Sequence, residues 1–427
     1  MRALPEPVQP FAARSVRPPV KILFLTDNFP PEVNAPASRT HEHCREWVRL
    51  GHQVTVITCA PNFPQGKVQE GYRNRWRQRE MIDGIEVIRV WSFITANEGF
   101  LKRVLDYLSF ALTSFIAGLA VDCDVIVATS PQFFTTLSGF ALSKMKRRPW
   151  VFEVRDLWPA TIVAVGAIRN QAILRQLERL ELFLYRDARM VVVVTEAFKA
   201  DLVGRGIDPA KIEVVTNGVD LSAFRPRARD PELEDRLGLK GKTVVSYIGT
   251  HGQCQGLEFV VDAASKVARK DLHFLFVGAG AERAMVMERA QALGLSNTTF
   301  LEPVPKHEVG RYLSLTDVML VPLRRSEVFT TVIPSKIFEA AAMEKPILLG
   351  VDGEARGIIE RFGAGRFYEP EDCDSFLGEL EAMTADPARD AKIREGCGRM
   401  ALAYDRTALA RTMLSHLERA ARPGRAR

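Results

Sequence analysis

The chain has 427 residues, 47% of them apolar and 26% charged, with a formal net charge of +6. That length exceeds one ordinary hydrophobic core and calls for two domains of roughly 200 residues each, and the composition excludes a fibrous or wholly disordered protein. Cysteines at 44, 59, 123, 254, 373 and 397 lack metal or disulfide spacing, which excludes a disulfide scaffold and suits a reducing, cytoplasmic compartment.

Residues 1–19 hold five prolines and three arginines and no apolar run, so a disordered extension is expected there rather than a secretory signal. Short runs of β-branched residues follow, separated by helical stretches. Strands are expected at 21–27, 53–58, 85–91, 124–129, 150–154 and 190–195, then at 243–249, 273–278, 317–321 and 346–350. Runs such as Val191–Val194 are continuously apolar, the mark of strands covered on both faces, and point to parallel sheets. The pattern pauses between Val214 and Lys242. The fold class is therefore α/β, with two doubly wound Rossmann-like domains facing each other across a cleft. The expected boundaries are 20–216 and 217–403, and residues 421–427 read as a frayed basic tail.

Ligands of such sheets sit beyond the carboxyl ends of the strands. The first strand ends in Asp27-Asn-Phe-Pro-Pro-Glu-Val-Asn34, which lacks the glycine fingerprint of a nicotinamide or flavin enzyme. Val151–Pro159 sets Arg155 and Asp156 at the mouth of the cleft. In the second domain Gly249, Gly252 and Gly256 interrupt the loop Thr250-His-Gly-Gln-Cys-Gln, and Phe274–Gly280 ends in glycines at 278 and 280. Glycines there let backbone approach a phosphate closely. The segment Ile333-Pro-Ser-Lys-Ile-Phe-Glu339 reads as a loop entering a short helix. The helix start and Lys336 would attract a phosphate, and Glu339, one turn on, would accept hydrogen bonds from vicinal hydroxyls such as those of a ribose.

Asp122-Cys-Asp124 precedes its strand, Asp372-Cys-Asp374 opens a helix as an N-cap, and His41-Glu-His-Cys44 fans around a helix axis. No metal is expected at any of them. Basic residues crowd two loops, Lys67, Arg73, Arg75, Arg77 and Arg79 in one and Lys144, Lys146, Arg147 and Arg148 in the other. Between them Tyr107–Val121 is uncharged and follows Lys102 and Arg103. Fifteen uncharged residues fall short of the roughly 20 of a membrane span, but suit a helix lying partly in an anionic membrane surface. Interleaved aromatics and recognised motifs for nucleic acid are absent, so no nucleic-acid partner is expected.

Taken in order, the PPE loop, Val151–Pro159, Val193–Glu196, Val215–Asp220, Gly249–Gly256, Pro334–Glu339 and Gly353-Glu-Ala355 resemble the retaining GT-B-fold glycosyltransferases of family 4. Within that family the likeness is to bacterial fucosamine and colanic-acid-type transferases of cell-surface polysaccharide, and it runs from about Lys21 to Ala421. The resemblance implies a hexosyltransferase-type enzyme that needs no cofactor or metal. Its donor would be a nucleoside-diphosphate sugar (UDP-sugar favoured, GDP-sugar possible) and its acceptor a polyprenyl-diphosphate-linked glycan. It would sit peripherally on the inner face of the cytoplasmic membrane. It implies a donor site of Gly249, Thr250, His251, Gly252, Gln255, Gly278, Ser335, Lys336 and Glu339, catalytic roles for Arg155, Asp156 and Lys336, and an acceptor side of Pro31, Glu32, Asn34 and Arg39. A last helix, 404–421, would return to the first domain.

Three departures stand out. Thr331 occupies the position of a second glutamate common in the family. Thr250 or His251 and Gln255 stand where many members carry Arg and Lys, and Arg155-Asp156 replaces a common His-Asp pair. A nucleotide-sugar epimerase of the same architecture, or a non-catalytic scaffold of a polysaccharide assembly, are the alternatives.

Overall fold

The computed structural model describes residues 18–63, 65–95, 100–158, 170–385 and 387–422. Most of the expected N-terminal extension, Pro159 of the cleft segment and the tail beyond 422 lie outside them. Two sheets organise the chain. The first contains β1 (Lys21–Leu25), β2 (Gln53–Cys59), β3 (Arg77–Ile82), β4 (Ile85–Val90), β5 (Val125–Thr129), β6 (Trp150–Val154), β7 (Met190–Val193) and β8 (Ile212–Val214), in the order β3-β4-β2-β1-β5-β6-β7-β8. The second contains β9 (Thr243–Ile248), β10 (Leu272–Val277), β11 (Thr298–Leu301), β12 (Val318–Pro322), β13 (Ile347–Gly350) and β14 (Gly365–Phe367), in the order β11-β10-β9-β12-β13-β14.

All pairings are parallel except β3 with β4. The central strands are covered on both faces: along β1, Leu23 and Leu25 enter one apolar cluster while Ile22 and Phe24 enter another on the opposite face. In β9, Val244 and Ile248 face one cluster, Val245 and Tyr247 the other. A strand with two covered faces must be apolar throughout, which is why these central strands are visible in the sequence. The edge strands are not. β3, β8, β11 and β14 were absent from the expected set; β3 (Arg-Gln-Arg-Glu-Met-Ile) is largely polar and half exposed, and the others have only three or four residues.

In each sheet the strand order reverses once, between β1 and β5 in the first and between β9 and β12 in the second. The crevice at such a reversal is where doubly wound sheets bind ligands. The long helix Arg406–Ala421 lies against the helix Ala35–Arg49 of the first domain, where Trp47 Nε1 donates to the Ala410 carbonyl at 2.8 Å and Arg411 pairs with Glu46 at 2.8 Å.

Candidate active site

The two reversal points face each other. A cavity of about 210 Å³ is lined by Pro36 after β1, Pro131 after β5, Arg155 and Asp156 after β6, Asn217, and Thr331–Ile333 from the loop after β12. Both domains thus contribute walls to one space. Arg155 donates through Nη1 to the Pro36 carbonyl (3.2 Å), while its Nε is buried without a partner among the described residues. Burial pulls its guanidinium down to about 10, and the same burial raises Asp156, against which Arg155 acts. Ser130 Oγ accepts from the main-chain N–H of Arg155 and Asp156, at 2.8 and 3.3 Å, and fixes the strand end.

On the second-domain side, β9 and β10 continue past their ends in close contact: Gly249 N donates to the Val277 carbonyl (2.9 Å) and His251 N to that of Ala279 (2.8 Å). A Cβ on Gly278 would lie 1.9 Å from the Gly249 oxygen, and both glycines hold positive φ, 145° and 148°. Glycine is thus required where the loops cross. Lys336 rises beneath this crossing. Its Nζ stands 3.8 Å from the centroid of the Tyr247 ring, and a Cβ on Gly249 would come within 2.9 Å of it. The phenol of Tyr247 donates to the Thr250 carbonyl (2.5 Å), which locks the ring in place. Neither the Lys336 ammonium nor the Glu339 carboxylate, one turn further on, makes a hydrogen bond or ion pair among the described residues; a cation over a ring face is held electrostatically but keeps its donors. Burial pulls the Lys336 amine down to about 7, opposed by Glu339, and raises the Glu339 carboxyl, opposed by Lys306, Arg406 and Lys336.

The expected helix-start contribution is reduced. The helix Lys336–Ala342 has seven residues, Ser335 gives it no side-chain cap, and the N–H groups of Ile337 and Phe338 are spent on the Pro334 and Ser335 carbonyls. Positive charge here is therefore chiefly the Lys336 side chain. Several other residues read from the sequence have internal partners. Arg39 is 1% exposed and does not reach the cleft as an acceptor ligand. Its guanidinium bonds to Glu153 (3.1 Å), the Thr216 carbonyl (2.6 Å), Asn217 (3.2 Å) and the Val215 carbonyl (2.8 Å), because a buried cation must be fully paired. Asn34 caps the helix Ala35–Arg49 through Ala37 N, and Gln255 accepts from Gly252 N at 3.0 Å within its own loop. His251 is fully buried between Tyr247 and Phe276, with both ring nitrogens unpartnered among the described residues, and burial with Arg283 and Lys336 nearby lowers it to about 4. Pro31 and Thr250 are exposed, and Glu32 is buried.

Sequence reasoning missed the cross-domain partners. Glu354 accepts from the Glu196 and Ala197 N–H groups of the first domain, both at 2.9 Å, and Lys306 reaches Ser38 (2.9 Å) and Glu42 (3.3 Å). Arg406 binds Glu42 from the other side at 2.5 Å. Tyr247 was also missed, since its only signal is a place two residues before Gly249, near the end of β9.

Two Rossmann-like domains with facing switch points make the GT-B architecture. Residues 34–218 match the family described as glycosyl transferase 4-like domain, and residues 230–399 match glycosyl transferases group 1. The two matches together span most of the chain, which belongs to the GT-B glycosyltransferases that join these two domains. Over 388 residues it is 24% identical to an Escherichia coli (strain K12) protein named for colanic acid biosynthesis, the glycosyl transferase WcaI, covering 88% of this chain and 95% of that one. It is 27% identical over 264 residues to the D-inositol 3-phosphate glycosyltransferase of Rhodococcus erythropolis (strain PR4 / NBRC 100887), covering 56% and 58% of the two chains. Among solved structures, Anabaena Alr3699/HepE in complex with UDP and glucose superposes with a TM-score of 0.71 at 17% identity, covering 93% of this chain and 99% of that one.

Proposed function

We propose that this enzyme transfers a sugar, with retention of configuration, from a nucleoside-diphosphate sugar to a lipid-linked glycan in the synthesis of cell-surface polysaccharide. The observation that carries the donor half is the placing of Lys336 and Glu339 one turn apart beneath the Gly249–Gly278 crossing, the ammonium on the Tyr247 ring and neither side chain hydrogen-bonded or ion-paired among the described residues. In this reading Lys336 takes the diphosphate, Glu339 the ribose hydroxyls, and the crossing glycines let the phosphates lie against backbone. As the bond to the anomeric carbon breaks, negative charge grows on the leaving diphosphate. A fixed ammonium in a water-poor cleft stabilises that charge more than the ground state. Arg155 approaches the same cavity from the first domain and would add to this as the domains close, with Asp156 orienting the acceptor hydroxyl. No metal or cofactor enters this scheme. UDP is the favoured nucleotide, supported by the structural likeness to a UDP-bound glycosyltransferase.

The acceptor's lipid would be held at an anionic membrane surface. On the helix Phe100–Leu119 the residues Leu105, Leu108, Leu112, Ile116 and Leu119 are all exposed, on one face, and Lys102 and Arg103 are exposed at its start. Nearby Trp76, Arg73, Arg75, Arg77 and Arg79 are exposed as well. An apolar stripe beside cations is the pattern of a helix lying in a headgroup layer. No helix of the described residues is long and apolar enough to cross a membrane.

Calorimetric titration with UDP, GDP and dTDP, beside Glu339→Ala, tests the donor half: selective binding that the substitution weakens is expected, and no binding of any of the three overturns it. Flotation with vesicles containing phosphatidylglycerol, beside Leu112→Glu, tests the membrane half, with loss of flotation in the variant expected.

A further inference from the structure

We propose that Asp27, Glu32 and Asp106 line an acceptor subsite at the carboxyl ends of β1, β2 and β4 in the first domain, one that takes a neutral or amino sugar and turns away an anionic one. The proposal rests on the reading of this domain as the acceptor half. The loop after β1 delivers Asp27 and Glu32, and the helix Phe100–Leu119 delivers Asp106. Asp27 follows β1, and its carbonyl accepts from Thr58 Oγ1 (3.1 Å) and Cys59 Sγ (3.2 Å), which pins it against the end of β2. Glu32 is 5% exposed, and its Oε1 accepts from the Asn62 and Phe63 N–H groups at 2.7 and 2.9 Å. Asp106, on the helix Phe100–Leu119, pairs with Ser92 just beyond β4.

Hydrogen bonding inside the protein leaves part of this set unsatisfied. Glu32 Oε2 and Asp27 Oδ1 are buried and meet no partner among the described residues. A buried acceptor oxygen without a donor costs roughly 1–3 kcal/mol, a cost that a ligand rich in hydroxyls removes. One neighbouring cation is already engaged: Arg89, itself buried, binds Glu80, the Cys59 carbonyl (3.0 Å) and the Pro30 carbonyl.

The groups also feel one another. Burial raises all three carboxyls, Asp106 to about 6, and the charge of Asp27 raises both Glu32 and Asp106 further; Asn28 and Arg155 on Asp27, the Phe63 and Asn62 N–H groups and Arg89 on Glu32, and Ser92 on Asp106 act the other way. A carboxylate or phosphate brought here would meet like charge in a poorly solvated place, whereas hydroxyl donors or an ammonium relieve it. The charged end of a lipid-linked acceptor would instead lie toward the exposed Lys102 and Arg103.

The test is saturation-transfer NMR of the full chain, with and without UDP, using methyl glucoside, methyl glucosaminide and methyl glucuronide as probes. The first two are expected to bind and the glucuronide to bind at least ~10-fold more weakly, with Asp27→Asn and Glu32→Gln each weakening the first two by about 10-fold, the scale of one lost hydrogen bond to a charged group. UDP affinity, measured on the same samples, is expected to stay unchanged in both variants, which also reports that they are folded. Equal binding of the glucuronide, no binding of any glycoside, or variants indistinguishable from the parent would overturn the proposal. Failure of the intact protein to bind UDP counts against the donor reading instead, so the two failures are separable.

Discussion

Lys336 holds its ammonium 3.8 Å above the Tyr247 ring, just below the place a side chain on Gly249 would occupy. This one relationship joins the strand β9, the glycine crossing and the short helix into a single cationic cradle, and it sets up a conflict between stability and function.

The conflict predicts the behaviour of Lys336→Met. The folded-state pKa of Lys336, about 7, lies below its ordinary 10.5, so the unfolded chain binds the extra proton between those values. Stability from this site is therefore lowest at and below about pH 7 and rises as pH climbs toward 10.5. Lys336→Met is expected to raise the thermal midpoint at pH 7, to lose that rise with pH, and to bind UDP at least ~10-fold more weakly. In the parent protein, UDP affinity should fall as pH rises from 7 to 9. Scanning calorimetry and UDP titration over that range check both; a parent affinity flat across it would contradict the assignment of Lys336 to the diphosphate.

Gly249→Ala tests the crossing. At φ 148° an alanine is strained by roughly 1–3 kcal/mol, and its methyl would crowd the Lys336 ammonium. A moderate loss of stability is expected together with a loss of UDP binding larger than stability alone explains, read by denaturant unfolding beside UDP titration.

Glu354→Ala removes a carboxylate that caps a first-domain helix from the second domain. The capping scale suggests a cost of about 0.5–2 kcal/mol. Because the contact crosses between domains, a wider distribution of domain separations is also expected, measurable by small-angle scattering; Glu354→Gln should restore part of the contact.

Arg39→Met addresses a structural ion pair. It strands Glu153, 1% exposed and with Oε2 already without a partner among the described residues, in the core of the first domain. A destabilisation of about 3–5 kcal/mol is expected, with UDP affinity of the folded fraction unchanged. A variant of normal stability but impaired sugar transfer would return Arg39 to the acceptor site.

The sequence by itself determined the central strands, the glycine-bearing loops at their ends and the Lys336–Glu339 turn. These are local signals: a doubly covered strand must be apolar at every position, and a backbone crossing at positive φ must be glycine. Only the tertiary structure decided which polar groups remain available to a ligand. Arg39 and Asn34 look like cleft residues until Glu153, Thr216 and Ala37 are seen to take their hydrogen bonds, and Gln255 until Gly252 takes its oxygen. Conversely, Asp27 is an ordinary loop aspartate in sequence, and becomes notable once one of its oxygens is found buried and unmatched. The reason is physical: burial and pairing depend on neighbours far apart in the chain, 114 residues for Arg39 and Glu153 and 158 for Glu196 and Glu354, and a pattern along the chain cannot record them.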